Sequence, residues 1–165
     1  MIEFRPFRND DPPALAEIWS SQPPMRALLQ PLSAYVLDRL VMGKPYFDRS
    51  GLIVATDAGQ PVGFVHGGFG PSEDGSKLDH SIGVTCMLMV GPHPQREDIA
   101  RDLLQRSEQY LMERGATTLH GGGVRYVAPF YQGLYGGSAM PGVLDDDKLF
   151  ITTCRAAGYE IIGTR

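Results

Sequence analysis

Cysteine is scarce in this chain: Cys86 and Cys154 are the only two in 165 residues. Two thiols cannot build a disulfide framework, and the composition fits a reducing cytoplasm. Charge of one sign is also missing. Lys and Arg number 15 against 19 Asp and Glu, a net charge of −4, which leaves no footprint for nonspecific nucleic-acid binding. No apolar run approaches the roughly 18 residues a membrane helix needs. The opening stretch MIEFRPFRNDDPP carries charges at positions 3, 5 and 8 and has no apolar centre, so it is not a signal peptide. The four histidines lack metal-ligand spacing and no Cys-x-x-Cys pair exists, so no metal site is expected.

What is present is an ordinary globule, 42% hydrophobic and 21% charged. The length suits a single domain over 1–165, able to bury about 70% of its unfolded surface. Glycine (20) and proline (13) are in excess, and they cluster at 67–75, 91–94 and 121–142, which read as loops. No internal repeat stands out.

Hydrophobic periodicity places the elements. Residues 2–7 read as an edge strand. Asn9 or Asp10 is expected to cap a helix with Pro12 in its first turn and Leu15, Ile18 and Trp19 on one face. A second helix is expected from Leu32 to Met42, with a stripe of Val36, Leu37, Leu40 and Val41. Residues 51–57 and 61–69 read as strands joined by a hairpin at Ala58-Gly59-Gln60. Residues 82–90, IGVTCMLMV, are almost wholly apolar, as a strand buried on both faces would be. A helix follows from Glu97 to Arg114, then a strand over 116–120, a glycine-rich aromatic segment over 121–146 holding Tyr126, Phe130, Tyr131 and Tyr135, a helix over 147–157 and a closing strand, YEIIGTR. The order is that of an α/β (α+β) domain with antiparallel hairpins first and one β–α–β crossover later.

The stretch 82–104 is the most informative. A buried strand feeds a tight turn and a long helix, whose first amides lack intrahelical partners and carry the positive end of the dipole. That arrangement suits a phosphate. Here Val90, Pro92, Gln95, Ile99 and Ala100 fall in the register of the (Gln/Arg)-x-x-Gly-x-(Gly/Ala) phosphate loop, and Leu103-Leu104 and the terminal Ala157-Gly158-Tyr159 match as well. In these motifs and in the order of its elements the chain resembles the GNAT superfamily of acyl-CoA-dependent N-acyltransferases.

The resemblance implies a mixed, mostly antiparallel central sheet with flanking helices and strands splayed at the acyl-CoA site. It implies acetyl-CoA as cosubstrate, with the backbone of Leu88, Met89 and Val90 pairing with the pantetheine arm. The amides of Gln95, Arg96, Glu97, Asp98, Ile99 and Ala100 would then hold the pyrophosphate, with Arg101 beside them. The chain departs from the family pattern in three places. The motif glycine is Asp98, whose carboxylate reads as a cap competing for the phosphate's place, with Arg96 and Arg101 available to offset it. The position of the family's proton-donating Tyr holds Cys154, and a buried apolar role is the ordinary state of such a thiol. The chain also stops soon after Ile161-Ile162, where the family adds a strand. An unpaired apolar edge invites a second copy, or a second domain of the same kind in a longer protein.

Acetyl transfer needs a neutral amine, donors for the developing oxyanion and a proton for the thiolate. Strand-borne candidates are His66, Asp79, His80 and His120. His66 is singled out because Gly67 and Gly68 beside it leave room for a ligand. His93 is expected to shape the turn before the long helix. Tyr131 and Tyr135, at i and i+4, either place a phenol in the site or pack down as a lid. The catalytic expectation is thus His66, Tyr131 and Cys154. Two functional readings follow: direct acetyl transfer from acetyl-CoA to a small amine or peptide amine, or a non-catalytic domain of the same fold with a structural, dimerisation or ligand-binding role.

Overall fold

The computed structural model describes residues 1–123, 130–137 and 142–163. Its elements are β1 (Ile2–Pro6), α1 (Pro12–Ser20), α2 (Ala34–Leu37) continuing into a widened π turn (Asp38–Met42), β2 (Leu52–Asp57), β3 (Gln60–Pro71), β4 (Leu78–Val90), α3 (Arg96–Glu113), β5 (Thr118–Gly121) and α4 (Lys148–Ala156). One sheet orders the strands β1-β2-β3-β4-β5. The first three pairings are antiparallel and β4 runs parallel to β5, with α3 as the crossover between them.

Local chemistry explains most of these boundaries. The β2–β3 hairpin closes on Ala58 and Gly59, both at positive φ (49° and 80°), as a two-residue turn between twisted strands requires. Helix α1 begins behind Asp11 rather than at Asn9 or Asp10. The Asp11 side chain does not cap it, because both carboxylate oxygens are held by the Arg5 guanidinium at 2.7 and 2.8 Å and one also accepts from the Arg8 amide at 2.7 Å. Helix α2 is shorter than its apolar stripe suggested. Ser33 caps it, and the wider turn after Leu37 carries Leu40 outward to 43% exposure while Val41 stays buried. Strand β4 starts at Leu78, ahead of the apolar run, because Asp79 and His80 sit on the hairpin arm it shares with β3.

The sheet separates two cores. Trp19, Leu37, Phe64, Met87, Phe130 and Tyr131 belong to the larger, on the side of α1 and α2. Val65, Leu88, Val90, Ile99, Leu103 and Phe150 belong to the second, under α3 and α4. Gly83–Val90 are buried throughout, in line with the apolar run read from the sequence. The strand expected over the last seven residues is a correction. Residues 159–163 form none: they do not pair with the free edge of β5, and Ile161 and Ile162 stand 60% and 89% exposed. Thr164 and Arg165, the last of that expected strand, lie outside the described residues, as do Tyr126 and the rest of 124–129 and 138–141 within the glycine-rich segment.

Candidate active site

The parallel pair β4–β5 is short. Ile82–Thr85 pair with Thr118–Gly121, and the last contact is the Gly122 amide donating to the Thr85 carbonyl at 2.8 Å. Beyond that point β4 continues to Val90 with no described strand on this side, so the two strands part. An extra residue in β4 sharpens the separation: Gly67 pairs with Thr85 but His66 with Met87, leaving Cys86 as a bulge. The Gly91 amide bonds back to Val62 on β3 at 2.8 Å, so alternation turns the backbone groups of Leu88 and Val90 away from β3, into the opening.

The Val90 carbonyl is already engaged. It accepts from Gln22 Nε2 and from Arg96 Nε, both at 3.0 Å, while Arg96 also donates to Gln22 Oε1 at 3.1 Å. Gln22 is buried and anchors to the end of α1 through Ile18. Arg96 is therefore folded against the strand end rather than held ready in front of the helix. Nothing in the sequence marks Gln22, which follows α1 in a proline-rich break.

At the start of α3 the Gln95 amide donates to His93 Nδ1 at 3.0 Å and the Arg96 amide to the His93 carbonyl at 3.2 Å. The amides of Glu97 and Asp98 meet no protein acceptor among the described residues. The Asp98 carboxylate does not fold back on them. It pairs with Arg101 at 3.0 Å in solvent, so its charge is offset and the amides stay open. Leu88, Met89 and Val90 thus line one side of an opening, and Gln95–Arg101 form the helix start beyond the strand's end. Ile99 and Ala100 are a correction to the expected amide set: their side chains are buried in the core, the Ile99 amide donates to the Gln95 carbonyl at 2.9 Å, and Ala100 lies within the helix ladder. An acyl-CoA fits this set: a strand with outward-turned backbone groups, then free helix amides for the diphosphate.

Two of the three catalytic candidates come together. His66 Nδ1 lies 2.8 Å from the Tyr131 hydroxyl, both fully enclosed, and Tyr131 stacks on Trp19 with ring centroids 5.8 Å apart. His66 Nε2 has no partner. Burial pushes the His66 imidazole down to about 3, so it is neutral, and holds the Tyr131 phenol well above its usual range. The room that Gly67 and Gly68 were expected to leave is filled. A side chain at Gly67 would meet Ser107 Oγ at 2.8 Å, and one at Gly68 would meet Phe130 at 2.8 Å. The segment 130–137 acts as a cover. Its Leu134 carbonyl accepts from Leu29 and its Gly136 amide donates to Ala27, each at 2.9 Å.

Cys154 lies in the other core, on α4. Its sulfur would be 3.0 Å from a side chain at Gly121, the last residue of β5, and burial pushes the thiol up to about 12. Tyr135 turns away from Tyr131's partner and donates to Asp147 at 2.7 Å while accepting from the Leu144 amide at 3.0 Å. Burial raises the Asp147 carboxyl, which also caps α4. Asp79 is spent on Ser81, and His80 packs on Phe69 at the hairpin. His120 sits half-buried on β5 opposite Val84. Among the described residues no three His, Cys, Asp or Glu side chains gather as a metal would need, and no helix is long and apolar enough to cross a membrane.

No curated protein matches the chain. In solved structures the chain is similar to the ribosomal-protein-alanine N-acetyltransferase from Brucella melitensis biovar Abortus 2308, with TM-score 0.64 and 13% identity over 100% of this chain and 96% of that one. It is similar to Ard1 from Thermoplasma volcanium, with TM-score 0.62 and 17% identity over 98% and 84%. It also resembles a GNAT family acetyltransferase from Brucella melitensis in complex with acetyl-CoA, with TM-score 0.56 and 18% identity over 72% and 73%. These likenesses show the fold. The model of the acetyltransferase (GNAT) family matches residues 13–132, well over half of the chain. With the splayed strands and the helix start already in place, the chain belongs to the acetyltransferase (GNAT) family, and the activity class this carries is N-acetyl transfer from an acyl-CoA.

Proposed function

We propose that this protein transfers an acetyl group directly from acetyl-CoA to a small amine or a peptide amine. The observation that carries the reading is the conjunction of the β4–β5 splay with the two unpartnered amides of Glu97 and Asp98. The pantetheine arm lies along Leu88–Val90, and the diphosphate rests on the start of α3 between Gln95 and Arg101. The amine nitrogen attacks the thioester carbon, the C–S bond breaks, and the thiolate takes a proton. Cys154, protonated at neutral pH and carried by α4 with its sulfur beside Gly121 at the end of β5, supplies that proton. Enclosed, the His66 imidazole is too weakly basic to take the amine's proton; the Tyr131–His66 pair takes it only when the 130–137 cover lifts and water restores the ring's ordinary basicity. A hollow of about 150 Å³ opens on the far side of Phe130 from His66, between Tyr46, Phe69, Tyr110 and Arg114, and its one carboxylate, Asp48, is already held by the Tyr110 hydroxyl at 2.8 Å and by Arg114 at 3.4 Å.

The test is calorimetric titration with acetyl-CoA followed by transfer to a panel of amines. Binding and turnover support the reading; no heat at millimolar ligand overturns it. A second reading, a ligand-binding domain without turnover, is favoured by the complete enclosure of His66 and Tyr131 and by the occupied Val90 carbonyl. Binding without transfer to any amine would select it.

A further inference from the structure

The turn between β4 and α3 reads Gly-Pro-His-Pro-Gln, and two of its residues have no amide hydrogen. Proline at 92 and 94 fixes φ on either side of His93 and leaves the turn few donors to satisfy. His93 takes two of them. Its Nδ1 accepts from Gln95 at 3.0 Å and its carbonyl accepts from Arg96 at 3.2 Å. The far ring nitrogen, Nε2, lies 2.9 Å from Asp57 Oδ2 at the end of β2. The ring is mostly enclosed, with 12% of its side chain exposed.

The donor pattern dictates the tautomer. Gln95 N–H can bond only to an unprotonated Nδ1, so the ring proton sits on Nε2 and is donated to Asp57. The carboxylate thereby orients the imidazole, and the imidazole orients the turn. Asp57 also receives the N-terminal amine at 3.4 Å, so the charged groups that face His93 are this carboxylate and the ammonium on it. The consequence appears one step along the chain. With the Gln95 and Arg96 amides consumed by a single residue, Glu97 and Asp98 are the amides left open.

We infer that His93 is the positioning residue of the acyl-CoA diphosphate site, holding the α3 start in the conformation that presents the Glu97 and Asp98 amides, with Asp57 fixing its tautomer. The inference rests on the proposed binding of acyl-CoA at this helix start. His93 does not touch the ligand, so it acts on acyl-CoA affinity and leaves the chemical step alone.

Two substitutions divide the ring's roles. In His93→Asn the side-chain oxygen stands where Nδ1 stood and still accepts from Gln95. In His93→Gln the amide reaches Asp57 but offers nothing to Gln95. Calorimetry with acetyl-CoA on the full chain is expected to find His93→Asn within about threefold of wild type and His93→Gln weaker by about tenfold, the loss of roughly one hydrogen bond's worth of order. The acetyl-CoA KM moves in step while kcat stays within twofold. Urea midpoints of both variants show that each is folded, and ¹⁵N correlation of the wild-type imidazole is expected to show the Nε2–H tautomer. Equal binding by wild type and His93→Gln, equal weakening in both variants, or an Nδ1–H tautomer overturns the inference while leaving the acyl-CoA reading intact. Absence of heat in wild type as well as both variants overturns the reading itself, and the inference with it.

Discussion

The start of α3 and the pocket under the 130–137 segment are built on opposite principles. At α3 the working groups are backbone amides, left open because one imidazole absorbs their neighbours and Asp98 turns to Arg101. Under the cover the working groups are side chains, and they are shut in: His66 against Tyr131, Tyr131 against Trp19, Trp19 Nε1 donating to the Leu29 carbonyl at 2.8 Å. One region gives up hydrogen bonds to remain available. The other encloses its groups by packing, leaving His66 Nε2 without a partner, and must move before it can meet an amine. Binding of acyl-CoA and admission of an acceptor are thus separable properties of the fold, and substitutions in the two regions should have separable effects.

The largest expected effect falls on the closed side. Trp19→Ala empties the fully buried stack on Tyr131 and should cost about 3–5 kcal/mol in urea unfolding. A loss below 1 kcal/mol would mean that the cover is not packed as described. The second effect is acid sensitivity. The His66 imidazole is depressed from 6.5 to about 3, so the unfolded chain binds a proton that the folded chain refuses. Its contribution is whole above the unfolded value and is lost as pH falls toward the folded one, at up to about 1.4 kcal/mol per pH unit. His66→Gln should flatten that part of the stability profile, as measured by unfolding at a series of pH values between 6.5 and 4. Tyr131→Phe removes the hydroxyl on Nδ1 and should cost about 1 kcal/mol without changing acetyl-CoA affinity. The smallest stability effect lies on the open side. Asp98→Gly should shift the urea midpoint little, yet it removes a carboxylate beside the diphosphate and should tighten acetyl-CoA severalfold in calorimetry.

The sequence made the open region legible and the closed one opaque, for a physical reason. An amide at a helix start follows from local signals alone: an apolar run at 82–90, prolines at 92 and 94, and periodicity after Gln95. The same signals located β2, β3, α3 and the middle of β4. They did not show that Gln22 reaches Val90 across 68 residues, or that Tyr131 reaches His66 across 65, because such contacts depend on how elements pack. Asp98 illustrates the limit within the legible region. Its identity suggested a cap, and only its placement beside Arg101 shows the amides left free. Leu40 fails likewise, since a widened turn rotates it out of a stripe the spacing had drawn.

The account stands on the Glu97 and Asp98 amides receiving the diphosphate. A ¹H–¹⁵N titration of the protein with coenzyme A measures this directly. The account predicts that these two amide resonances move furthest among those of residues 91–101 and exchange more slowly with solvent when the ligand is bound. Unmoved Glu97 and Asp98 resonances at saturating coenzyme A would contradict it.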